Sequence, residues 1–260
     1  MVDRLPLSVS IITCNEEANL NRCLESVRNL AREIVILDSG STDRTQAIAA
    51  GFEAVFEHSP WPGFTIQKQK SLDRCTQPWV LCLDADEALS PELADSIRQT
   101  LAQADPDTAG YWLNRRTWYL GAWIWHAWYP EWRLRLVRRG TAAWTGRDPH
   151  PAMSVTGRTR RLPGDLLHYS FRDLEDHLRR TVKYARDSAA AYAAAGRRFH
   201  WHQLLLPPCV AFLKHLILKQ GFRDGWRGWL ISIIRGIDVF AKYAFLLERE
   251  RASRQTSRKD

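Results

Sequence analysis

The chain has 260 residues, 45% of them apolar, with 37 Lys/Arg against 29 Asp/Glu and a formal net charge of +8. That length and apolar share suit one large domain, or one domain with an appendage, and supply enough material for a real core. Five cysteines, odd in number and without C-x-x-C spacing, argue against a disulfide scaffold or a zinc site. Cys14, Cys23, Cys75, Cys82 and Cys209 read instead as small core hydrophobes in a reducing compartment. The charge is uneven: residues 197–260 hold 13 Lys/Arg against 5 Asp/Glu, while the first 196 residues balance at 24 of each. A basic tail points to an acidic partner such as nucleic acid or an anionic membrane surface. The apolar run after Arg4 is short and polar-interrupted, so no signal peptide is expected and the protein is placed in the cytoplasm.

In chain order, residues 7–14 read as a strand and residues 16–30 as a helix with Leu20, Cys23, Leu24, Val27 and Leu30 at helical spacing. Glu33–Asp38 is a second buried strand ending in an acid. Ser39–Asp43 is a polar turn and cap, followed by a short helix over 47–50 and a short strand over 54–56. Residues 64–75 read as a helix carrying Gln67, Lys68, Gln69 and Lys70. Trp79–Asp84 is a near-continuous apolar strand, the pattern of one buried on both faces of a parallel sheet. Ser90-Pro91-Glu92 is a helix start, with the helix running to about Ala104. This strand–helix alternation predicts a parallel sheet with right-handed crossovers. No G-x-G-x-x-G and no G-x-x-x-x-G-K-[ST] occurs, so phosphate must be held by other means.

Residues 111–150 change character and contain seven of the twelve tryptophans. Tyr111–Asn114 and Arg133–Arg138 alternate like antiparallel strands, and Gly164–Tyr169 like a closing one. The tryptophans read either as a second core or as half-buried rings suited to sugar or an interface. Arg147-Asp148-Pro149-His150-Pro151 is a rigid loop with an acid and an imidazole between prolines. From Arg172 on the pattern is helical. Leu174, Leu178, Val182, Ala185 and Ala189 mark one face of a helix ending near Gly196. A second helical stretch, Trp201–Lys219, is broken at Pro207-Pro208, and a third runs from Trp226 to about Arg249. Lys214 and His215, and then Arg235, Asp238 and Lys242, interrupt both apolar stretches too early for membrane spans. Two readings remain: helices lying in a membrane interface, or amphipathic helices packed on the domain. Ser253–Asp260 is expected to be disordered.

The chemistry centres on Asp84-Ala85-Asp86-Glu87 at the end of the apolar strand. Ionised carboxylates are too costly to bury unpaired, so they belong at the carboxyl edge of the sheet, where open α/β sheets hold ligands. Two carboxylates at i and i+2 can grip a hard divalent cation that also holds a diphosphate. The plainer reading is a solvated acidic turn before a helix.

Val9–Glu17, Ile36–Asp43 and Leu83–Glu87 together resemble the inverting family 2 glycosyltransferases. Gly63-Phe64 with Gln67-Lys68, Trp128–Glu131 with Arg133–Leu136, Lys219–Gly225 and Lys242-Tyr243 extend the likeness to the branch that includes bacterial lipopolysaccharide-core glucosyltransferases. The resemblance implies a GT-A type fold: a Rossmann-like mixed sheet flanked by helices over residues 1–170, then a basic amphipathic helical extension over 171–252 and a tail over 253–260. It implies a hexose moved from a UDP-sugar to a saccharide or glycolipid acceptor, with Mn²⁺ or Mg²⁺, at the inner face of the cell membrane and without nucleic acid. By this likeness Thr13, Asn15 and Glu17 lie along the nucleotide, and Asp38 accepts from the uracil N3–H. Lys68 offers charge to the nucleotide or phosphate, Asp84 contacts ribose or metal, Asp86 binds metal, and His150 binds metal or diphosphate. An inverting transfer needs one general base, for which Asp148 is the first candidate and Glu131 the second. The branch usually has an acid after this His, where this chain has Pro151. That departure leaves open a module that kept the fold and lost the chemistry. A sugar nucleotidyltransferase is disfavoured, because Asn15-Glu16-Glu17 is opposite in charge to a phosphate loop.

Overall fold

The computed structural model of the protein describes residues 4–103, 105–146, 148 and 151–256. In chain order the elements are β1 (Leu5–Thr13), α1 (Leu20–Val27), β2 (Ala31–Asp38), α2 (Thr45–Ala50), β3 (Val55–His58), α3 (Phe64–Arg74), β4 (Trp79–Asp84) and β5 (Glu87–Leu89). Then follow α4 (Pro91–Ala102), β6 (Thr108–Tyr119), β7 (Ala122–Trp123), β8 (Glu131–Arg138), β9 (Ala142–Thr145), β10 (Ala152–Val155) and β11 (Arg158–His168). The last third is helical: α5 (Leu174–Ala194), a 3₁₀ turn (Trp201–Leu204), α6 (Leu206–Leu213), a π turn (Lys214–Leu218), a second 3₁₀ turn (Gly221–Asp224) and α7 (Gly225–Thr256).

The chain divides into two compact units. The first comprises Met1–Arg116 and Pro130–Tyr169, the second Thr117–Tyr129 and Ser170–Asp260. The segment Thr117–Tyr129, which the sequence pattern leaves with the strands, thus belongs to the helical unit.

The first unit is built on a sheet of order β3-β2-β1-β4-β8-β6-β11-β5. β3, β2, β1 and β4 run parallel, and β8 pairs antiparallel with β4 and β6. β4 lies inside the sheet, which is why its sequence is apolar without alternation. Trp79, Leu81 and Leu83 face one cluster with Leu20, Leu24, Leu93 and Ile97 from α1 and α4, while Val80 and Cys82 face another with Leu72 and Trp144. Each fully buried Leu or Ile contributes about 1.5–3 kcal/mol. At the start of α4, Ser90 Oγ accepts from Leu93 N and Pro91 follows it, as the sequence implies. β6 and β11 are longer than the patterns 111–114 and 164–169 suggest, because their outer halves are polar and read as loop. Cys23, Cys75 and Cys82 are core residues, but Cys14 and Cys209 are exposed, contrary to expectation.

In the second unit, Tyr119, Ile124, Ala127 and Ile231 form a core with Trp128 and Phe171 packed against it. The buried stripe of α5 is His177, Thr181, Ala185 and Ala189, not the expected Leu174–Leu178–Val182 line, which is exposed. The polar members are acceptable inside because they are satisfied. His177 Nδ1 shares a 2.8 Å hydrogen bond with the Tyr119 hydroxyl, and Thr181 Oγ1 donates to His177 O at 2.8 Å. Ala185 and Ala189 then let α7 pack closely on α5. Pro207 and Pro208 do not break a helix. They sit in the first turn of α6, where a missing N–H costs nothing. α7 runs to Thr256, past the expected start of a disordered tail; residues 257–260 lie outside the described set.

Burial pushes the His177 imidazole down to about 4, so the folded chain holds it neutral. Between pH 6.5 and 4 the unfolded chain binds more protons at this site, and stability must fall as pH falls through that window. The loss reaches about 2–3 kcal/mol near pH 4. Urea unfolding at pH 7 and pH 4.5 should show it, and His177→Phe should flatten the dependence.

Candidate active site at the carboxyl edge of the sheet

Parallel pairing puts three strand tips side by side. Thr13 lies opposite Asp38, and Ile12 opposite Asp84. The loops that follow β1 and β2 are sewn together. Asn15, in the left-handed region at φ 57°, donates its N–H to Ser41 Oγ at 2.8 Å, and its Oδ1 accepts from Thr42 N at 2.8 Å. Glu16 N donates to Thr45 Oγ1 and Glu17 N to Asp43 Oδ2, while Glu17 Oε2 accepts from Arg44 N. Asp38 is buried and accepts four hydrogen bonds: from Thr13 Oγ1 (2.7 Å), Ser41 Oγ (2.5 Å), Gly40 N and Ser41 N (both 2.8 Å). Burial opposes its charge, but the Ser41, Thr13 and Gly40 donors outweigh that and hold the carboxyl below the usual range. Thr13, Asn15, Glu17 and Asp38 therefore come together as expected. Asp38 directs its four lone-pair sites at donors of these loops and so shapes the turn.

The D-x-D pair divides. Asp84 is ion-paired on one oxygen to Lys68 and on the other to Arg135 Nη2 at 2.6 Å. Burial works against its charge, and Arg135 and Lys68 drive its pKa well below the ordinary carboxylate value nonetheless. Arg135 is itself buried in β8 and also holds the fully buried Glu87 at 2.9 Å. Glu87 in turn accepts from the Asp84 N–H at 3.0 Å and meets Arg115 at 3.3 Å. Arg115 continues the chain with two 2.8 Å hydrogen bonds, from Nε and Nη2, to Glu131. Trp144 lies beside both cations, with Lys68 Nζ 4.7 Å and Arg135 Cζ 5.7 Å from the ring centroid. Among the described residues Asp84 thus belongs to a connected set of three acids (Asp84, Glu87 and Glu131) and four bases (Lys68, Arg115, Arg133 and Arg135).

Asp86 stands apart. Among the described residues no Lys or Arg is within ion-pair distance of it, and its Oδ2 lies 3.4 Å from His168 Nε2 at the end of β11. Burial opposes the Asp86 charge, and the facing imidazole outweighs this, leaving the carboxyl below its usual value. The backbone clamps this arrangement: Tyr169 N donates to Asp86 O at 2.9 Å, and His168 pairs with Glu87 across β11 and β5. One carboxylate oxygen and one imidazole nitrogen are a donor set suited to Mn²⁺, and less so to Mg²⁺, with further positions left for diphosphate oxygens and water. No cluster of three or more such donors exists among the described residues. His150, the second expected metal ligand, lies outside the described residues. His168 was not assigned from sequence, although a histidine closing a strand opposite an acidic turn is a usable signal.

The two expected bases are both engaged. Glu131 is pulled down to about 2: burial opposes, but Arg115 and Arg133 more than compensate. Asp148 is exposed and holds the start of α3, accepting from Phe64 N (2.8 Å), Thr65 N (3.0 Å) and Thr65 Oγ1 (2.9 Å). These donors, Thr65 N first, lower its pKa. Gly63 explains its own place in the motif: at φ +109°, an added Cβ would lie 2.1 Å from Asp148 Oδ2.

A half-parallel, half-antiparallel sheet with acids at the parallel tips and a D-x-D turn after the central strand defines a GT-A type nucleotide-sugar transferase. Residues 8–161 match the family described as Glycosyl transferase family 2. The chain is 35% identical over 259 residues to the lipopolysaccharide core biosynthesis glycosyltransferase LpsC of Rhizobium meliloti, covering 95% of this chain and 92% of that one. It is 30% identical to an uncharacterized glycosyltransferase of Rickettsia typhi, over 98% and 91% of the two chains. Among solved structures, the mannosyltransferase PcManGT of Pyrobaculum calidifontis, in complex with GDP-Man and Mn²⁺, shares the fold at TM-score 0.52 and 14% identity, over 94% and 88%. The chain belongs to glycosyltransferase family 2 and resembles lipopolysaccharide-core enzymes.

Arg135→Met should be costly, because it leaves one oxygen of Asp84 without its cation and the buried Glu87 with only the longer, 3.3 Å contact to Arg115. Breaking such a pair from one side costs about 3–5 kcal/mol. Urea midpoints should show that loss, and the double variant Arg135→Met/Glu87→Leu should recover part of it.

Proposed function

We propose that the protein is a metal-dependent inverting glycosyltransferase, moving a hexose from a UDP-sugar to a saccharide acceptor of the lipopolysaccharide-core or lipid-linked kind at the cytoplasmic face of the membrane. The observation that carries this reading is the contrast at the strand tips, where Asp84 is neutralised by Lys68 and Arg135 while Asp86 faces only His168. The Rhizobium relative's part in lipopolysaccharide core biosynthesis supports the acceptor class, and the Mn²⁺ in PcManGT supports the metal. PcManGT holds a guanosine donor, so the choice of uridine rests on the likeness of Val9–Glu17 and Ile36–Asp43 to the family's motifs.

In this reading the sewn loops form a fixed floor for the nucleoside, with Asp38 setting the shape of the Ser39–Ser41 turn. Asp86 and His168 would hold the cation, and Lys68, ion-paired to Asp84, would add positive potential for the diphosphate. A bound Mn²⁺ or Mg²⁺ would supply Lewis-acid stabilisation of the leaving diphosphate. Arg115, Arg135 and Glu87 keep the Asp84–Glu87 turn in place before substrate arrives, so little reorganisation is left for the reaction. Proton removal from the acceptor hydroxyl falls to Asp148, which is exposed and held by three neutral donors. Glu131 is locked by two guanidinium groups and is a much weaker proton acceptor.

A second reading has its own support: both acids expected as the base are occupied, and Pro151 stands where the branch carries an acid. It describes a nucleotide-sugar-binding module without turnover. UDP titration by calorimetry, with and without Mn²⁺, combined with donor hydrolysis, separates the two: binding with no turnover on any saccharide favours the module.

Asp86→Ala should lower kcat of transfer or donor hydrolysis by about 10³-fold, the loss of several kcal/mol of charge stabilisation; unchanged turnover removes Asp86 from the metal site. Asp148→Asn should lower kcat by about 10²–10⁴-fold if that carboxylate takes the proton. Thr65→Val, which removes one donor to it, should leave kcat near wild type. Equal effects of the two on KM alone would make Asp148 a positioning residue for α3.

A further inference from the structure

The second unit leaves much of its apolar surface without a partner. Among the described residues, thirteen of the 22 exposed large hydrophobic side chains lie between Trp201 and Phe240. Along α7 they form one stripe, Trp226, Trp229, Ile233, Ile237 and Phe240, at spacings of three and four residues. At about 1.5 Å per residue that stripe is roughly 20 Å long. Leu206, Val210, Leu213, Ile217 and Leu218 continue it on α6 and the π turn, Leu218 being 76% exposed. The two parts meet where Gly236 faces Pro208 and Phe212, and where the Phe212 and Trp229 rings lie 6.2 Å apart. Isolated exposed hydrophobes are ordinary, but a continuous face of this kind needs a second apolar environment.

The charges around the face indicate which environment. Between residues 201 and 247 there are six Lys/Arg and two Asp. Both acids are committed. Asp224 accepts from the N–H groups of Trp125, His126 and Ala127, and Asp238 pairs with Arg235. Lys214, Lys219 and Arg223 are exposed around the apolar residues, with no exposed acid among them. A second copy docked face to face would set like charges against one another, which two-fold interfaces avoid. No helix among the described residues is long and apolar enough to cross a membrane. Tryptophans at the edge of the face, and basic stems beside it, suit the headgroup layer, where amphipathic rings and snorkelling cations both settle.

We infer that the apolar face shared by α6, the π turn and α7 inserts into the headgroup layer of an anionic lipid bilayer, with Lys214, Lys219 and Arg223 on the lipid phosphates. The turn between the helices is built for this. Asp224 anchors it through its grip on residues 125–127, so Phe222 and Arg223 are presented on a fixed loop. This deepens the proposed reading, since it rests on the acceptor being lipid-linked, and it names the surface by which the enzyme reaches that acceptor.

The test is flotation of the full chain with large unilamellar vesicles of phosphatidylglycerol and phosphatidylethanolamine, and with vesicles of phosphatidylcholine alone, neither carrying any saccharide. Wild type should float with the anionic vesicles, bind the neutral ones at least about tenfold more weakly, and be released as salt rises. Leu218→Ser/Trp226→Ser/Ile233→Ser should bind at least about tenfold more weakly with an unchanged Tm, because all three side chains are exposed. Lys214→Glu/Lys219→Glu should lose the preference for anionic lipid. Wild type that stays in the dense fraction, or a triple variant that floats like wild type, overturns the inference. So does a wild-type dimer in light scattering that the triple variant converts to monomer while neither floats. Donor hydrolysis in free solution, measured on the triple variant, separates this inference from the transferase reading: its loss of vesicle binding with hydrolysis intact supports docking, and absent hydrolysis in a floating wild type counts against transfer alone.

Discussion

The site depends on one buried cation. Arg135 sits in β8 among Leu134, Leu136 and Val137, with no solvent to screen it, and its guanidinium bridges Asp84 and Glu87. A carboxylate as deeply buried as Glu87 would not remain ionised without such a partner. With it, Glu87 can accept from the Asp84 N–H and fix the turn through Ala85 and Asp86. The geometry of Asp86 is thus set by charges that it does not itself meet. Arg135 Nη2 already serves two acids. It acts on chemistry by holding shape and potential constant.

The acids of this edge divide their work accordingly. Asp38 organises a loop through four donors, Asp84 and Glu87 balance Lys68 and Arg135, Glu131 locks Arg115, and Asp148 holds the first turn of α3. Each spends its lone pairs on the protein. Asp86 spends one oxygen on an imidazole, which is itself a common metal ligand. A cation entering here displaces no ion pair with Lys or Arg, whereas at Asp84 it would have to break two. That difference, two charge-assisted hydrogen bonds at about 1.5–3 kcal/mol each, is the ground on which the proposed reading gives the metal to Asp86 and not to Asp84.

The parallel half of the sheet was legible from sequence because its determinants are local. An apolar run such as Trp79–Asp84 declares a strand buried on both faces, and the acid that ends it declares the edge. The partners of the acids from Asp84 to Glu87 were not legible, since Arg115, Arg135 and His168 arrive on antiparallel strands some 30 to 80 residues later, and nothing local reveals which strand lies next to β4. Arg135 gave one clue, a charge between Leu134 and Leu136 in the buried part of its strand, which demands a counterion. The face of α5 was misread for a related reason. Period alone favoured Leu174, Leu178 and Val182, while a hydrogen bond to Tyr119, 58 residues away, made His177 the better residue to bury. The hold of Asp148 on the start of α3 was not legible either, because its donors, Phe64 N and Thr65 N, are backbone groups that no side-chain pattern displays.

The helical unit poses the opposite problem, for its sequence is apolar in more directions than one core can absorb. α7 buries Ile231, Ile234, Val239 and Leu246 on one side and carries the Trp226–Phe240 stripe on another. A helix that only packed on its own unit would have polar residues on that second side. Nor is the exposed side frayed. Asp224, with three backbone donors and the His126 ring at 3.0 Å, fixes the turn on which the helices hinge. Keeping a buried carboxylate beside exposed aromatic and aliphatic side chains makes sense if the shape of that surface matters before anything binds to it. Preorganised apolar area loses less entropy on docking than the same area on a mobile segment, so a rigid two-helix face binds more tightly than its extent alone would give.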